Sequence, residues 1–382
     1  MFRENASVAL VTAGICYASI SAVHAQSMTL YGIVDTGVEY INHANAGGRS
    51  TLRMPALTGE MPSRWGIKGN EPLGGGYAAI FTLESGFTTG TGTLSQGGRL
   101  FGRQAWVGID SPYGTVTFGR QYSMLLWASL IADLFGPNIY ATSSLDTWLA
   151  APRSDNSLAY KKTFNGFTIG ASYSFGRDAS PNNGSNTPGE GNCAGSVPGN
   201  ATACREWSAM FEYDSSHWGT AVAYDRQNGG PGSAVSLFNG LTPLPFANSG
   251  DRDSRLLLDA YVKFDKFLAG LLWVNRNITV NSPTARTIVS NQLALEAQYR
   301  ITPALSLEGM AQYITARPQG THAFMENIRM TYAVSVRTAV YAQLAFLQNS
   351  RNAAFDVSSA GGATPGKGMN QAAAMLGVKH NF

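Results

Sequence analysis

Charge and long apolar runs are both scarce in this 382-residue chain. Only 13% of the residues are Asp, Glu, Lys or Arg, against roughly 25% in an ordinary soluble domain. The net charge is +3 and no Lys/Arg run occurs, so the electrostatic footprint of a nucleic-acid binder is missing. Beyond the N-terminus no stretch approaches the ~20 apolar residues a membrane helix needs, which excludes a helical membrane protein. Disorder is excluded in turn, because 44% of the residues are apolar and they are evenly spread. Histidine is sparse too. Of five, His24 lies near the N-terminus, His43 and His322 in connecting segments, His217 in a tight turn and His380 near the end. No nucleophile–base–orienter set and no metal-ligand spacing emerges from them, so neither a cofactor nor a metal is expected. Glycine (43 residues) and aromatics (11%) are plentiful, and an all-β chain is what this balance leaves.

The first 25 residues differ from the rest. Arg3 gives a basic start, residues 6–20 form a short apolar run rich in Ala and Ser, and Val23-His24-Ala25 offers small residues at a cleavage site. This is the layout of a secretory signal cleaved after Ala25, with residues 26–382 as the exported domain. Cys16 would leave with it. Cys193 and Cys204 remain, in a segment rich in Gly, Asn, Pro and Ser. An oxidising compartment would let them close a loop; the alternative is two free thiols.

From Thr29 onward the chain alternates with period two. Leu293, Leu295, Ala297 and Tyr299 oppose Gln292, Glu296, Gln298 and Arg300; Trp207, Ala209, Phe211 and Tyr213 oppose Ser208 and Glu212. A soluble sandwich would alternate as well. Two features favour a membrane barrel. Aromatics recur at the ends of the apolar faces, as in interfacial girdles. Connections also alternate strictly in length: tight turns at 71–76, 111–114, 165–166, 214–217, 265–266, 302–303 and 336–338, and long loops at 43–61, 88–98, 122–152, 176–205, 227–254, 276–288, 315–327 and 348–370. Seven turns and eight loops imply sixteen antiparallel strands with both ends on the turn side, an even number that closes without a free edge.

Several segments resemble one family. They are Thr29-Leu30-Tyr31-Gly32-Ile33-Val34-Asp35, Ser63-Arg64-Trp65-Gly66-Ile67-Lys68-Gly69, Phe81-Thr82-Leu83-Glu84-Ser85-Gly86-Phe87, Arg103-Gln104-Ala105-Trp106-Val107-Gly108, Gly114-Thr115-Val116-Thr117-Phe118-Gly119-Arg120-Gln121, Ser335-Val336-Arg337-Thr338 and Gly377-Val378-Lys379-His380-Asn381-Phe382. In this order they are similar to the general diffusion porins of Gram-negative outer membranes, in their β-proteobacterial, trimeric form. The resemblance implies an outer-membrane homotrimer of 16-stranded transmembrane β-barrels, each with short periplasmic turns, long outer loops and a third loop folded inward. The expected function is passive diffusion of ions and small hydrophilic solutes through a water-filled channel. Outer-membrane lipid, lipopolysaccharide and the barrel-assembly machinery are implied partners, the last reading the terminal Phe382.

A lumen this wide cannot be filled by side chains, and the segment 122–152 is apolar enough (Met124, Leu125, Leu126, Trp127, Leu134, Phe135, Trp148, Leu149) to fold against the inner wall rather than into water. Opposite it the resemblance implies a basic ladder of Arg64, Arg103 and Arg153. Lys68 shares the parity of Arg64, Glu84 has lumen parity on the third strand, and Arg103 is expected to point away from Gln104, Trp106 and Gly108. The loop itself carries only Asp133 and Asp146, fewer acids than the family pattern, which points to an anion-preferring or weakly selective pore. A substrate-specific channel, or a barrel enzyme, is the alternative reading.

Overall fold

The computed structural model describes residues 27–136, 138–150, 152–178, 193, 197–281 and 286–382. The segment read as a secretory signal lies outside the described residues. Sixteen antiparallel strands form the wall: β1 (Ser27–Ile41), β2 (Arg64–Gly74), β3 (Tyr77–Gly86), β4 (Gln104–Ser111), β5 (Gly114–Tyr122), β6 (Arg153–Phe164), β7 (Phe167–Ser174), β8 (Glu206–Asp214), β9 (Trp218–Asn228), β10 (Arg252–Phe264), β11 (Phe267–Val280), β12 (Arg286–Arg300), β13 (Leu305–Arg317), β14 (Thr321–Ala333), β15 (Thr338–Asn349) and β16 (Gln371–Asn381). Each pairs with its sequence neighbour, and β1 closes the barrel on β16, from Ile33 opposite Asn381 to Ile41 opposite Ala373. All backbone polar groups of the wall can thus pair within the sheet, which a bilayer requires.

Period-two chemistry decides which face meets lipid. Val107, Phe118, Phe211, Leu258, Leu271, Leu295 and Leu344 are exposed on the outside, while their strand neighbours point inward. The seven short connections fall where turn chemistry placed them. At Asn165-Gly166 both residues have positive φ (50° and 81°), the conformation a two-residue hairpin needs and one that Asn and Gly tolerate.

Two loops are much shorter than the alternation suggested. β11 continues to Val280 and β12 resumes at Arg286; β13 reaches Arg317 and β14 resumes at Thr321. On the outward face these extensions carry Asn275, Asn277, Thr279, Thr315 and Arg317. Above the bilayer that face is wet, so the apolar–polar contrast fades although the hydrogen-bonded ladder continues. The fourth strand corrects a parity. Thr82 pairs with Trp106 and Glu84 with Gln104, so Gln104, Trp106 and Gly108 share the inner face. Arg103 precedes the strand, and its inward course follows from the loop backbone, where its N–H donates to the Glu84 carbonyl (3.1 Å).

Among the described residues the third loop is not alone in folding into the lumen. Residues 123–152 contain helix α1 (Met124–Ser129) and two 3-10 turns. A hairpin of Ala234–Val235 with Leu244–Pro245 packs Val235, Leu237 and Phe246 onto Ile278, Val280 and Ile288. The last loop buries Ala353, Phe355, Val357 and Ala363 against Ile139, Tyr140 and Leu145 of the third.

Candidate functional site

The third loop crosses the lumen because its apolar residues find an apolar patch on the inner wall. Met124, Leu125, Ala128, Trp148 and Leu149 pack on Ala159, Met210, Ala221, Ala223, Leu257, Leu272, Val274 and Ala294. Each fully buried large side chain contributes about 1.5–3 kcal/mol. Hydrogen bonds fix the course. The Met124 N–H donates to Ser208 Oγ (2.8 Å), the Leu134 N–H to Glu296 Oε2 (2.6 Å), and Gln292 and Gln312 donate to the carbonyls of Thr142 (2.7 Å) and Ala141 (2.8 Å). Tyr140 Oη donates to Glu39 Oε1 (3.0 Å).

On the wall that the loop leaves free, basic side chains gather. Arg103 Nε donates to Glu84 Oε1 (2.7 Å) and Arg103 Nη2 to Tyr122 Oη (2.8 Å). Arg64 Nε stands 3.7 Å from Glu84 Oε2. The Arg153 guanidinium lies 5.0 Å from the centre of the Tyr122 ring, a cation–π distance. Tyr31 Oη (3.0 Å) and Tyr122 Oη (3.3 Å) also donate to the carboxylate. Arg64 and Arg103 therefore share one carboxylate, Arg153 stands beside Tyr122 with no carboxylate ion pair among the described residues, and a local excess of positive charge remains. They differ in access: the Arg64 side chain is 15% exposed, whereas Arg103 and Arg153 are each 3% exposed. Lys68 is exposed lower on the same face, 5.6 Å from the Tyr31 ring.

The loop carboxylates are engaged elsewhere. Asp146 accepts two bonds from Arg255, from Nε (2.8 Å) and Nη2 (3.1 Å), and lies 3.7 Å from Arg276 Nη1. Burial alone would raise its pKa, but Arg255 and Arg276 hold the carboxyl below the usual range. Asp253 accepts from both arginines as well (3.2 and 2.9 Å). Asp133 is half-buried and turned into its own loop, accepting the Gly136 N–H (2.8 Å) and Thr142 Oγ1 (3.3 Å). Burial pushes its carboxyl up against those hydrogen bonds.

The structure thus brings Arg64, Arg103, Arg153 and Glu84 together with Tyr122, and sets Asp133 and Asp146 apart from them. Arg255, Arg276 and Asp253 escaped sequence reasoning. Alternation puts Arg255 on the polar face of β10, but nothing local signals a partner on the third loop. Cys193 and Cys204 are joined by a disulfide with Cα atoms 5.6 Å apart. Phe382 pairs with Gly32 through two backbone hydrogen bonds (3.1 and 3.0 Å) and lays its ring where a side chain on Gly32 would stand.

The family model described as Gram-negative porin matches residues 6–352. An outer membrane porin protein of Bordetella pertussis is 38% identical over 165 residues, covering 39% of this chain and 43% of that protein. Outer membrane porin protein 32 of Delftia acidovorans is 26% identical over 386 residues, covering 98% and 99%. Among solved structures, an anion-selective porin from Comamonas acidovorans superposes with a TM-score of 0.75 at 22% identity, covering 94% of this chain and 100% of that one.

Proposed function

This chain belongs to the Gram-negative porin family and is an outer-membrane channel for passive diffusion rather than an enzyme, and we propose that its pore prefers anions because Arg64, Arg103 and Arg153 outnumber the one carboxylate, Glu84, that pairs within their cluster. The carrying observation is that imbalance, with Asp146 tied to Arg255 and Arg276 and Asp133 folded into its own loop. Guanidinium stays charged at any physiological pH. Between low-dielectric walls its field is poorly screened and raises the local anion concentration. Arg64, the most exposed of the three, is the one a passing solute meets; Arg103 and Arg153 act through the field. Lys68 extends the basic surface towards the periplasmic mouth. The anion-selective Comamonas acidovorans structure supports this sign.

In this reading residues 1–25 direct export, residues 26–382 form the barrel, and Phe382 is read by the assembly machinery. The barrel works as a homotrimer in contact with outer-membrane lipid and lipopolysaccharide. Small outward residues on the first strands, such as Ala79 and Ala105, suit close contact between copies. A single-barrel mass in mild detergent would contradict the trimer. Selectivity is tested by the reversal potential of the protein in a planar bilayer under a salt gradient. The sign expected is that of anion preference, and clear cation selectivity would overturn the assignment.

A further inference from the structure

The wall covers the third loop on one side only. Just past α1 the Leu130 side chain is 43% exposed, and Trp127 and Ile131 beside it are half-buried. Ile131 is seated over Gly219 of β9, where an added Cβ would come within 2.9 Å of its Cδ1. In a water-filled lumen such an apolar surface is unfavourable until something covers it. It forms the roof of a cleft of about 470 Å³, walled by Lys161 of β6 and by Met210 and Glu212 of β8. Lys161 stands four positions before Asn165, and Glu212 two before the turn at 214–217. The cleft therefore lies on the periplasmic side of the loop.

It is also continuous with the basic cluster. The Trp127 ring meets the Tyr122 ring edge-on, with centres 5.8 Å apart, and Tyr122 is the ring that Arg103 and Arg153 approach. Trp127 carries the Lys161 ammonium 3.8 Å from its ring centre, a cation–π contact. Three charged groups line the cleft. Asp214 is engaged, since it accepts from Tyr261 Oη. Lys161 and Glu212 make no ion pair among the described residues. Lys161, Gly170 and Met210 form one row across β6, β7 and β8, and Glu212 is the next inward residue of β8 towards the turn. Two strand spacings, about 10 Å, separate the backbones that carry this cation and this anion. A small molecule with one charge of each sign bridges such a gap, with a charge-assisted hydrogen bond of about 2.8 Å at each end.

We propose that the cleft is a solute subsite for a zwitterionic α-amino acid with an aromatic side chain. Lys161 meets the carboxylate, Glu212 meets the ammonium, and the ring covers Leu130 and Trp127. A solute with a single charge leaves one group of the cleft unpaired, and a solute without a ring leaves the roof wet, so both bind more weakly. The subsite holds the amino acid between the basic cluster and the periplasmic mouth. The proposal rests on the diffusion-channel reading above, and not on the sign of the ion preference.

The full barrel is held in a planar bilayer, and its single-channel current is titrated with phenylalanine, alanine, phenylpropionate and phenylethylamine. Phenylalanine should reduce the current at about tenfold lower concentration than alanine or phenylethylamine, the factor that one charge-assisted hydrogen bond or one buried ring supplies. Glu212→Gln should weaken phenylalanine about tenfold and leave phenylpropionate where it was. Lys161→Gln should weaken phenylalanine and phenylpropionate but not phenylethylamine. Leu130→Ser should weaken the three ring compounds and leave alanine unchanged. Equal responses to phenylalanine and alanine in the wild type, or a phenylalanine response that survives all three substitutions, overturns the proposal. Salt current without solute is read first on the same preparation. Its absence would overturn the channel reading and this proposal together, whereas a conducting pore that does not discriminate phenylalanine overturns this proposal alone.

Discussion

Two charged clusters line different walls of the same lumen and end in opposite balances. On β2–β6, Arg64 and Arg103 pair with one carboxylate, Glu84, while Arg153 lies over the Tyr122 ring beside them. On β10 and β11, Arg255 and Arg276 meet Asp146 of the third loop and Asp253, two cations against two anions. Both clusters join lumen-facing arginines to carboxylates. On the proposed reading the first cluster leaves a field in the pore, whereas the second pairs its charges off and fastens the loop. The role of a lumen arginine is therefore set by the number of carboxylates within ion-pairing distance, not by its presence on the polar face.

The most disruptive way to break this contrast is to strip the fastening cluster of its loop carboxylate. Asp146→Ala leaves Arg255 and Arg276 buried with Asp253 alone. Removing one partner of a buried pair costs about 3–5 kcal/mol. The loop should then lift from the wall, so thermal unfolding of the barrel should begin at lower temperature and single-channel conductance should rise. Conductance equal to wild type would mean that Trp148 and the apolar contacts hold the loop unaided.

Glu84→Gln acts on the other wall. It removes the one carboxylate that Arg64, Arg103, Tyr31 and Tyr122 share. Anion preference should increase, with stability lowered by roughly 2–4 kcal/mol because the buried Arg103 loses its main partner. The same substitution leaving the reversal potential unchanged would place this cluster away from the ion path.

The smallest effect concerns the last loop. Asp356 accepts the N–H groups of Ser358 (2.9 Å) and Ala363 (3.1 Å), yet burial pushes its pKa up to about 6. A carboxyl whose folded value lies above its ordinary 3.8 favours the docked loop at low pH, and that contribution is lost as pH rises from about 4 to about 6. Conductance should therefore be modestly lower below about pH 4 than above about pH 6, and Asp356→Asn should flatten the profile.

The barrel was legible in the sequence because lipid on one face and water on the other impose alternation directly on the side chains. Leu293, Leu295, Ala297 and Tyr299 read as one face from composition alone. The reading faded where both faces are wet, at Asn275, Asn277 and Thr279, and there the strands run on unseen. It also missed a strand onset, since Arg103 reaches the lumen from irregular backbone while Trp106 takes the inner face. Most opaque was the fastening cluster. Asp146 and Arg255 stand 109 positions apart, and only the folded loop brings them within 2.8 Å. Leu257, Leu272 and Val274 were hidden for the same reason, being inward apolar residues whose partner is a loop rather than lipid.

The account stands most directly on the reversal potential of Arg64→Glu, measured beside wild type in a planar bilayer under a salt gradient. Arg64 is the accessible member of the unbalanced cluster, and a fixed charge between low-dielectric walls is weakly screened. Anion preference is expected in the wild type, with a severalfold fall in the anion-to-cation permeability ratio in the variant. A reversal potential that does not move would contradict it.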